Sequence, residues 1–145
     1  MRQVKLNPEL CVTCETCQVS CALEHSVNKD INKVLMEKPR PVPRLKIKTK
    51  NSKPQLVRCK NCKKPKCMDV CETGAIYKKD GYVLIEKNRC NGCWKCVGAC
   101  PFKAVWKSPD ANIVVKCDSC AGHEPACVTS CRTGALVLVE GEGED

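Results

Sequence analysis

Residues 90–101 read Cys90-Asn91-Gly92-Cys93-Trp94-Lys95-Cys96-Val97-Gly98-Ala99-Cys100-Pro101, four thiols closed by a proline. No packing rule calls for such a run. Thiols three apart on a loop reach three corners of one compact metal core, and the fourth, four residues on, has passed onto a segment leading away. The grouping recurs outward in both directions. Cys11, Cys14, Cys17 and Cys21 repeat the spacing C-x2-C-x2-C-x3-C, whereas Cys59, Cys62, Cys67 and Cys71 read C-x2-C-x4-C-x3-C and Cys117, Cys120, Cys127 and Cys131 read C-x2-C-x6-C-x3-C.

The two looped groups share more than their thiols. Each has proline two residues before its third cysteine (Pro65, Pro125), and Cys71-Glu72-Thr73-Gly74-Ala75-Ile76 matches Cys131-Arg132-Thr133-Gly134-Ala135-Leu136. Short group, looped group, short group, looped group is the signature of a duplicated two-motif unit.

Composition agrees that the thiols carry the fold. Cysteine supplies 16 of 145 residues, against one Phe, two Tyr and two Trp. A cysteine share above roughly 8 to 10% signals a chain stapled by disulfides or metals. Disulfides need an oxidising compartment. The opening Met1-Arg2-Gln3-Val4-Lys5-Leu6 has no apolar signal region and no twin arginine, and no stretch approaches the roughly 18 apolar residues of a membrane helix. The expectation is therefore a reducing cytoplasm, no membrane span, and thiols free for metal. Structural zinc fits less well, because it takes two separated pairs rather than three or four thiols in succession.

The run from Cys90 to Pro101 matches the bacterial ferredoxin signature, in which three cysteines bind one [4Fe-4S] cubane and the fourth ligates another. Over almost its whole length the chain resembles the four-cluster ferredoxin-like electron-transfer subunits of molybdenum, tungsten, hydrogenase, formate dehydrogenase and carbon monoxide dehydrogenase systems. Within these, Cys21-Ala22-Leu23-Glu24-His25-Ser26 and Pro39-Arg40-Pro41-Val42-Pro43-Arg44 look most like the small iron-sulfur subunits associated with carbon monoxide dehydrogenase or tungsten aldehyde oxidoreductase.

The resemblance implies four [4Fe-4S] clusters, with motif one exchanging its last cysteine with motif four, and motif two with motif three. The implied sets are Cys11, Cys14, Cys17 and Cys131; Cys117, Cys120, Cys127 and Cys21; Cys59, Cys62, Cys67 and Cys100; and Cys90, Cys93, Cys96 and Cys71. The short separation of Cys71 from Cys90 independently supports the inner pair. The chain departs from the usual pattern where Ala22, Glu72 and Arg132 replace proline after the fourth cysteine. Such clusters also alter the charge. Each oxidised cubane with four thiolates is 2−, so four bring the formal +9 close to neutrality.

The implied fold class is α+β, ferredoxin-like, with two pseudo-symmetric two-cluster modules built of short hairpins and helices. The outer module takes residues 1–21 and 101–140, the inner one 59–100. Ala75 to Ile85 reads as a hairpin about Asp80-Gly81. A second is expected over Ala104 to Val115 with its turn near Ser108-Pro109-Asp110, terminal strands over Val4 to Leu6 and Ala135 to Val139, and short helices at Cys17 to Cys21 and Cys96 to Cys100. Residues 22–58 form a cysteine-free insertion, extended through Pro39 to Arg44. Its strand Leu45 to Lys50 turns back at Asn51-Ser52-Lys53-Pro54, and the whole is read as a docking element.

Other features take plainer readings. His25 and His123 are surplus as ligands once sixteen thiolates fill sixteen iron positions. Trp94 and Trp106 are read as packing that excludes water. Lys38 to Lys66 carries twelve Lys or Arg and no acid; it lacks the aromatic partners of a nucleic-acid face, leaving a solvated surface, compensation of the anionic clusters, or docking to an acidic partner. Glu140 to Asp145 is read as a frayed tail. With no phosphate loop, no Ser/His/Asp set and no spare thiol, the chain is expected to be no enzyme. It is expected to relay electrons between a catalytic metalloenzyme subunit and a second electron carrier or reductase, with a freely diffusing polyferredoxin as the alternative and self-association physically possible.

Overall fold

The computed structural model describes residues 1–143. Strand β1 (Arg2–Leu6) is followed by helix α1 (Thr16–Glu24), hairpin strands β2 (Leu45–Lys50) and β3 (Lys53–Arg58), and helix α2 (Lys66–Asp69). Then come β4 (Ile76–Lys79), β5 (Tyr82–Ile85), α3 (Lys95–Ala99), β6 (Val105–Lys107), β7 (Val114–Lys116), α4 (Ala126–Thr129) and β8 (Leu136–Glu140). The strands form four antiparallel pairs: β1 with β8, β2 with β3, β4 with β5, and β6 with β7. The chain is thus α+β, with few and short helices.

Turn chemistry sets the hairpins. Between β4 and β5, Asp80 and Gly81 lie at φ 51° and 83°, the paired left-handed conformation that matches strand twist and that Asp-Gly adopts readily. Asn51 and Ser52, at φ 51° and 59°, do the same between β2 and β3. Pairing of Arg2 with Glu140 and Leu6 with Leu136 joins the two ends of the chain. Lys38–Pro39 is cis, and residues 38–44 form neither helix nor strand.

Aliphatic side chains and thiols share two cores. One gathers Ile76, Val83, Val105 and Val114 with Cys59, Cys67 and Cys96. The other gathers Val4, Leu45 and Leu136 with Cys17, Cys21 and Cys127. Leu45 is 1% exposed, so the insertion contributes to a core as well as to the surface. It is also strapped down. Arg40 holds Asp110 through Nε at 2.8 Å, and Lys46 Nζ stands 4.7 Å above the Trp106 ring. Trp94 lies under Lys107 at 4.9 Å, so both indoles pack against a lysine.

The acidic end is less free than its composition suggests. Glu140 belongs to β8, Gly141 N–H donates to the Met1 carbonyl at 3.0 Å, and Glu142 pairs with Lys63 at 2.6 Å. Glu144 and Asp145 lie outside the described residues. No helix among the described residues is long and apolar enough to cross a membrane.

Candidate metal centres

Each cysteine loop is wound by left-handed residues. Thr13 and Glu15 (φ 54° and 59°) precede α1 as Gly92 and Trp94 (φ 69° and 64°) precede α3, and Asn61 (φ 50°), Ser119, Cys120 and Ala121 (φ 54°, 50° and 51°) bend the looped groups. Left-handed residues bend the backbone so that neighbouring N–H groups can face one centre, the basis of anion-binding concavities. Non-glycine residues in this region cost of order 1–3 kcal/mol each and persist where the surrounding structure holds them.

Sulfur atoms receive those N–H groups. Cys59 Sγ accepts from Asn61 N at 3.4 Å, Cys117 Sγ from Ser119 N at 3.4 Å, Cys100 Sγ from Ala104 N at 3.4 Å, and Cys21 Sγ from Arg44 N at 3.3 Å. Cys71 and Cys131 are treated alike, each with a threonine hydroxyl at 3.7 Å, Thr73 and Thr133. Burial raises both of these thiols, but the N–H groups of Ile76 and Leu136 and the two hydroxyls bring them below the ordinary value.

The thiols influence one another along the fold. Burial pushes Cys17 up, and the charges of Cys131 and Cys14 add to it; Cys11 lies half-buried at the start of the same loop. Burial pushes Cys21 and Cys127 up to about 12, with Cys117 and Cys120 adding to both. Cys67 is pushed up to about 12 by burial, opposed by Lys116 and reinforced by Cys59, Cys100 and Cys62. Cys96 is pushed up to about 11 by burial, with Cys71, Cys90 and Cys93 adding. A cavity is lined by Cys59, Cys62, Cys67 and Cys100 together with Lys116. Four soft thiol donors converging on one cavity are the donor set of an iron-sulfur cluster. None of the sixteen cysteines is joined in a disulfide.

A polar bracket that spacing does not reveal surrounds Cys21. His25 Nδ1 donates to the Cys21 carbonyl at 2.7 Å, and its Nε2 meets Asp118 Oδ1 at 3.3 Å. The Arg44 guanidinium holds the other Asp118 oxygen. Burial raises the Asp118 carboxyl, but His25 and Arg44 hold it well below the usual carboxylate range. His25, Asp118 and Cys120 offer atoms within 4.8 Å of one another, yet the Arg44 cation on Asp118 opposes a metal ion there. One local signal was legible: Asp118 Oδ1 accepts from Cys120 N at 3.0 Å and Asn91 Oδ1 from Cys93 N at 3.2 Å, the two-residue reach typical of Asx turns. Arg44 and His25 come from remote segments, and no periodicity points to them.

Convergent thiols, inward N–H groups and paired short strands define a class, the ferredoxin-like iron-sulfur proteins. Residues 53–141, more than half of the chain, match the family described as the 4Fe-4S dicluster domain. The thiosulfate reductase electron transfer subunit PhsB of Salmonella typhi is 36% identical over 135 residues, covering 87% of this chain and 69% of that protein. The electron transport protein HydN of Escherichia coli K12 is 35% identical over 148 residues, covering 90% and 83%. A component of the benzoyl coenzyme A reductase active-site complex BamBC, solved with 1,5-dienoyl-CoA, superposes with TM-score 0.54 at 21% identity, covering 100% of this chain and 79% of that one. The chain belongs to the 4Fe-4S dicluster family of ferredoxin-like electron-transfer subunits, and its role is electron transfer rather than catalysis.

Proposed function

We propose that the chain holds four [4Fe-4S] clusters in the sets Cys11, Cys14, Cys17 and Cys131; Cys117, Cys120, Cys127 and Cys21; Cys59, Cys62, Cys67 and Cys100; and Cys90, Cys93, Cys96 and Cys71. The sets make two modules related by the sequence duplication, and each cluster supplies a one-electron couple when bound. Shared segments order the relay. Helix α1 carries Cys17 and Cys21, which serve the first and second sets, and the third and fourth sets exchange Cys100 and Cys71. Between the second and third sets, Asn61 and Ser119 bond loop to loop.

The observation that carries this reading is the distribution of exposure. Cys14 and Cys93 are the exposed thiols, one in each end set beside one buried thiol (Cys17, Cys96), whereas each middle set has two buried thiols (Cys21 and Cys127; Cys59 and Cys67) and no exposed one. A relay of this form takes an electron at one exposed end and delivers it at the other, with the protein's aliphatic jacket excluding water between. The partners are a catalytic oxidoreductase subunit and a second electron carrier, in a reducing cytoplasm that keeps sixteen thiols available. Tungsten aldehyde oxidoreductase and carbon monoxide dehydrogenase partners are implied by the sequence resemblance, and a thiosulfate reductase by the name of one relative.

Anaerobic affinity purification from the native host, with mass spectrometry of the retained proteins, tests the partnership. One catalytic subunit at 1:1 stoichiometry is expected. Absence of any stoichiometric partner, with equal electron delivery to several unrelated oxidoreductases, would favour the freely diffusing polyferredoxin.

A further inference from the structure

Lys116 is 3% exposed. Its ammonium donates to the carbonyl of Val83 and, at 2.9 Å, to that of Cys117. Among the described residues no carboxylate stands within ion-pair distance of it. A buried cation without a counter-ion costs several kcal/mol, so a negative charge must come from elsewhere. Asp118 lines a second cavity with Lys116 but is held by Arg44 and His25, which leaves as anionic candidates the four thiols of the first cavity, Cys59, Cys62, Cys67 and Cys100. Lys60 and Lys66 line the same cavity but are half-buried and exposed, respectively, so solvent screens them more than Lys116, and two other cations near cysteines are already paired. Arg44 is held by Asp118 and Lys95 by Glu72. Arg58, equally buried, turns its guanidinium to the carbonyls of Val4 and Cys59 and to Gln3, and is not among the residues lining the cavity.

We propose that the Lys116 ammonium is the fixed countercharge of the cluster held by Cys59, Cys62, Cys67 and Cys100 and raises that cluster's reduction potential. The inference rests on the ligand set proposed above. When bound by these four thiolates the cubane would carry 2−, and 3− after accepting one electron from a neighbouring cluster or a reducing partner. A fixed positive charge stabilises the more negative state. Water is excluded around Lys116, so the attraction is weakly screened. The third cluster then holds the electron more firmly than its thiolates and N–H groups alone dictate, giving the middle of the relay a set level.

The test is an EPR-monitored redox titration of anaerobically purified holoprotein, wild type against Lys116→Met, Lys116→Gln, Lys116→Arg and Lys66→Met, with iron and sulfide counted on each. Lys66 is exposed and lines the same cavity. In Lys116→Met one midpoint shifts to more negative potential, the same signal that Cys62→Ser alters, while the others hold; Lys116→Arg stays near wild type and Lys66→Met moves little. Unchanged midpoints in Lys116→Met at full iron content overturn the proposal, as does a shift in a different signal or an equal shift in Lys66→Met. If both uncharged variants lose one cluster and Lys116→Arg keeps it, the countercharge is upheld through assembly; loss in all three assigns Lys116 a packing role and overturns it. A wild-type protein with fewer than four cubanes refutes the ligand sets instead, and the iron count reads that separately.

Discussion

The side-chain amide of Asn61 donates a 3.0 Å hydrogen bond to the hydroxyl of Ser119, fastening the loop between Cys59 and Cys62 to the loop between Cys117 and Cys120. Cys59 Sγ accepts from the backbone of Asn61 and Cys117 Sγ from that of Ser119. Hydrogen bonds and short covalent paths therefore run without a break from Cys59 of one looped cysteine group to Cys117 of the other, both packed in the same core. Asn61 Oδ1 also accepts from Val83 N at 3.0 Å, tying hairpin β4–β5 into the same junction.

Ser119→Ala deletes the acceptor and leaves the fully buried Asn61 amide without this bond. A loss of about 1–3 kcal/mol is expected. Because iron-sulfur proteins unfold irreversibly, the readout is the rate of visible-absorbance loss in guanidinium. Faster bleaching with an unchanged starting iron content is the expected result.

Arg58→Met removes a buried cation whose Nε and Nη1 donate to Val4 O at 2.9 Å and Cys59 O at 2.8 Å. Two buried carbonyls lose their donors and the terminal β1–β8 pair loses its anchor to β3. Destabilisation on the order of 2–4 kcal/mol is expected, read by thermal loss of circular dichroism at fixed scan rate. Arg58→Lys recovers little, since one ammonium cannot span the same acceptors.

Exposure should rank the proposed clusters by fragility. Each proposed end set has an exposed thiol, Cys14 or Cys93, while neither middle set does, so mild oxidation with ferricyanide should release the end clusters first. Iron retained against oxidant added should fall in two stages with a plateau near half. A single-stage loss would show that all four are equally accessible.

Chelation of iron should remove the fold along with the metal. Buried thiols are integral to both cores, and metal binding to such thiols is coupled to folding. Near-ultraviolet circular dichroism is expected to collapse as iron leaves, and to return on anaerobic reconstitution with iron and sulfide.

The three hairpins were legible because their signals are local, whereas the pairing of β1 with β8 across the whole chain was not. Asp80-Gly81 dictates its turn, and Leu45 to Lys50 announces alternation that becomes β2. The thiol grouping was equally open, since three-residue spacing is a statement about reach. The polar shell was not. Arg44 meets Asp118, Asn61 meets Ser119 and Lys116 meets Val83 only after folding, and nothing in the composition around these residues marks them. Lys38 to Lys66 read as one cationic stretch, but it contains Arg58, 2% exposed, beside surface lysines such as Lys50. Burial divides a charge run that composition treats as uniform.

The four-cluster relay is tested most directly by counting iron and acid-labile sulfide on the anaerobically purified chain, with EPR during stepwise reduction. About sixteen of each per chain are expected, with S = 1/2 signals broadened by coupling between neighbouring clusters. A yield near eight of each, or uncoupled signals at full reduction, would contradict it.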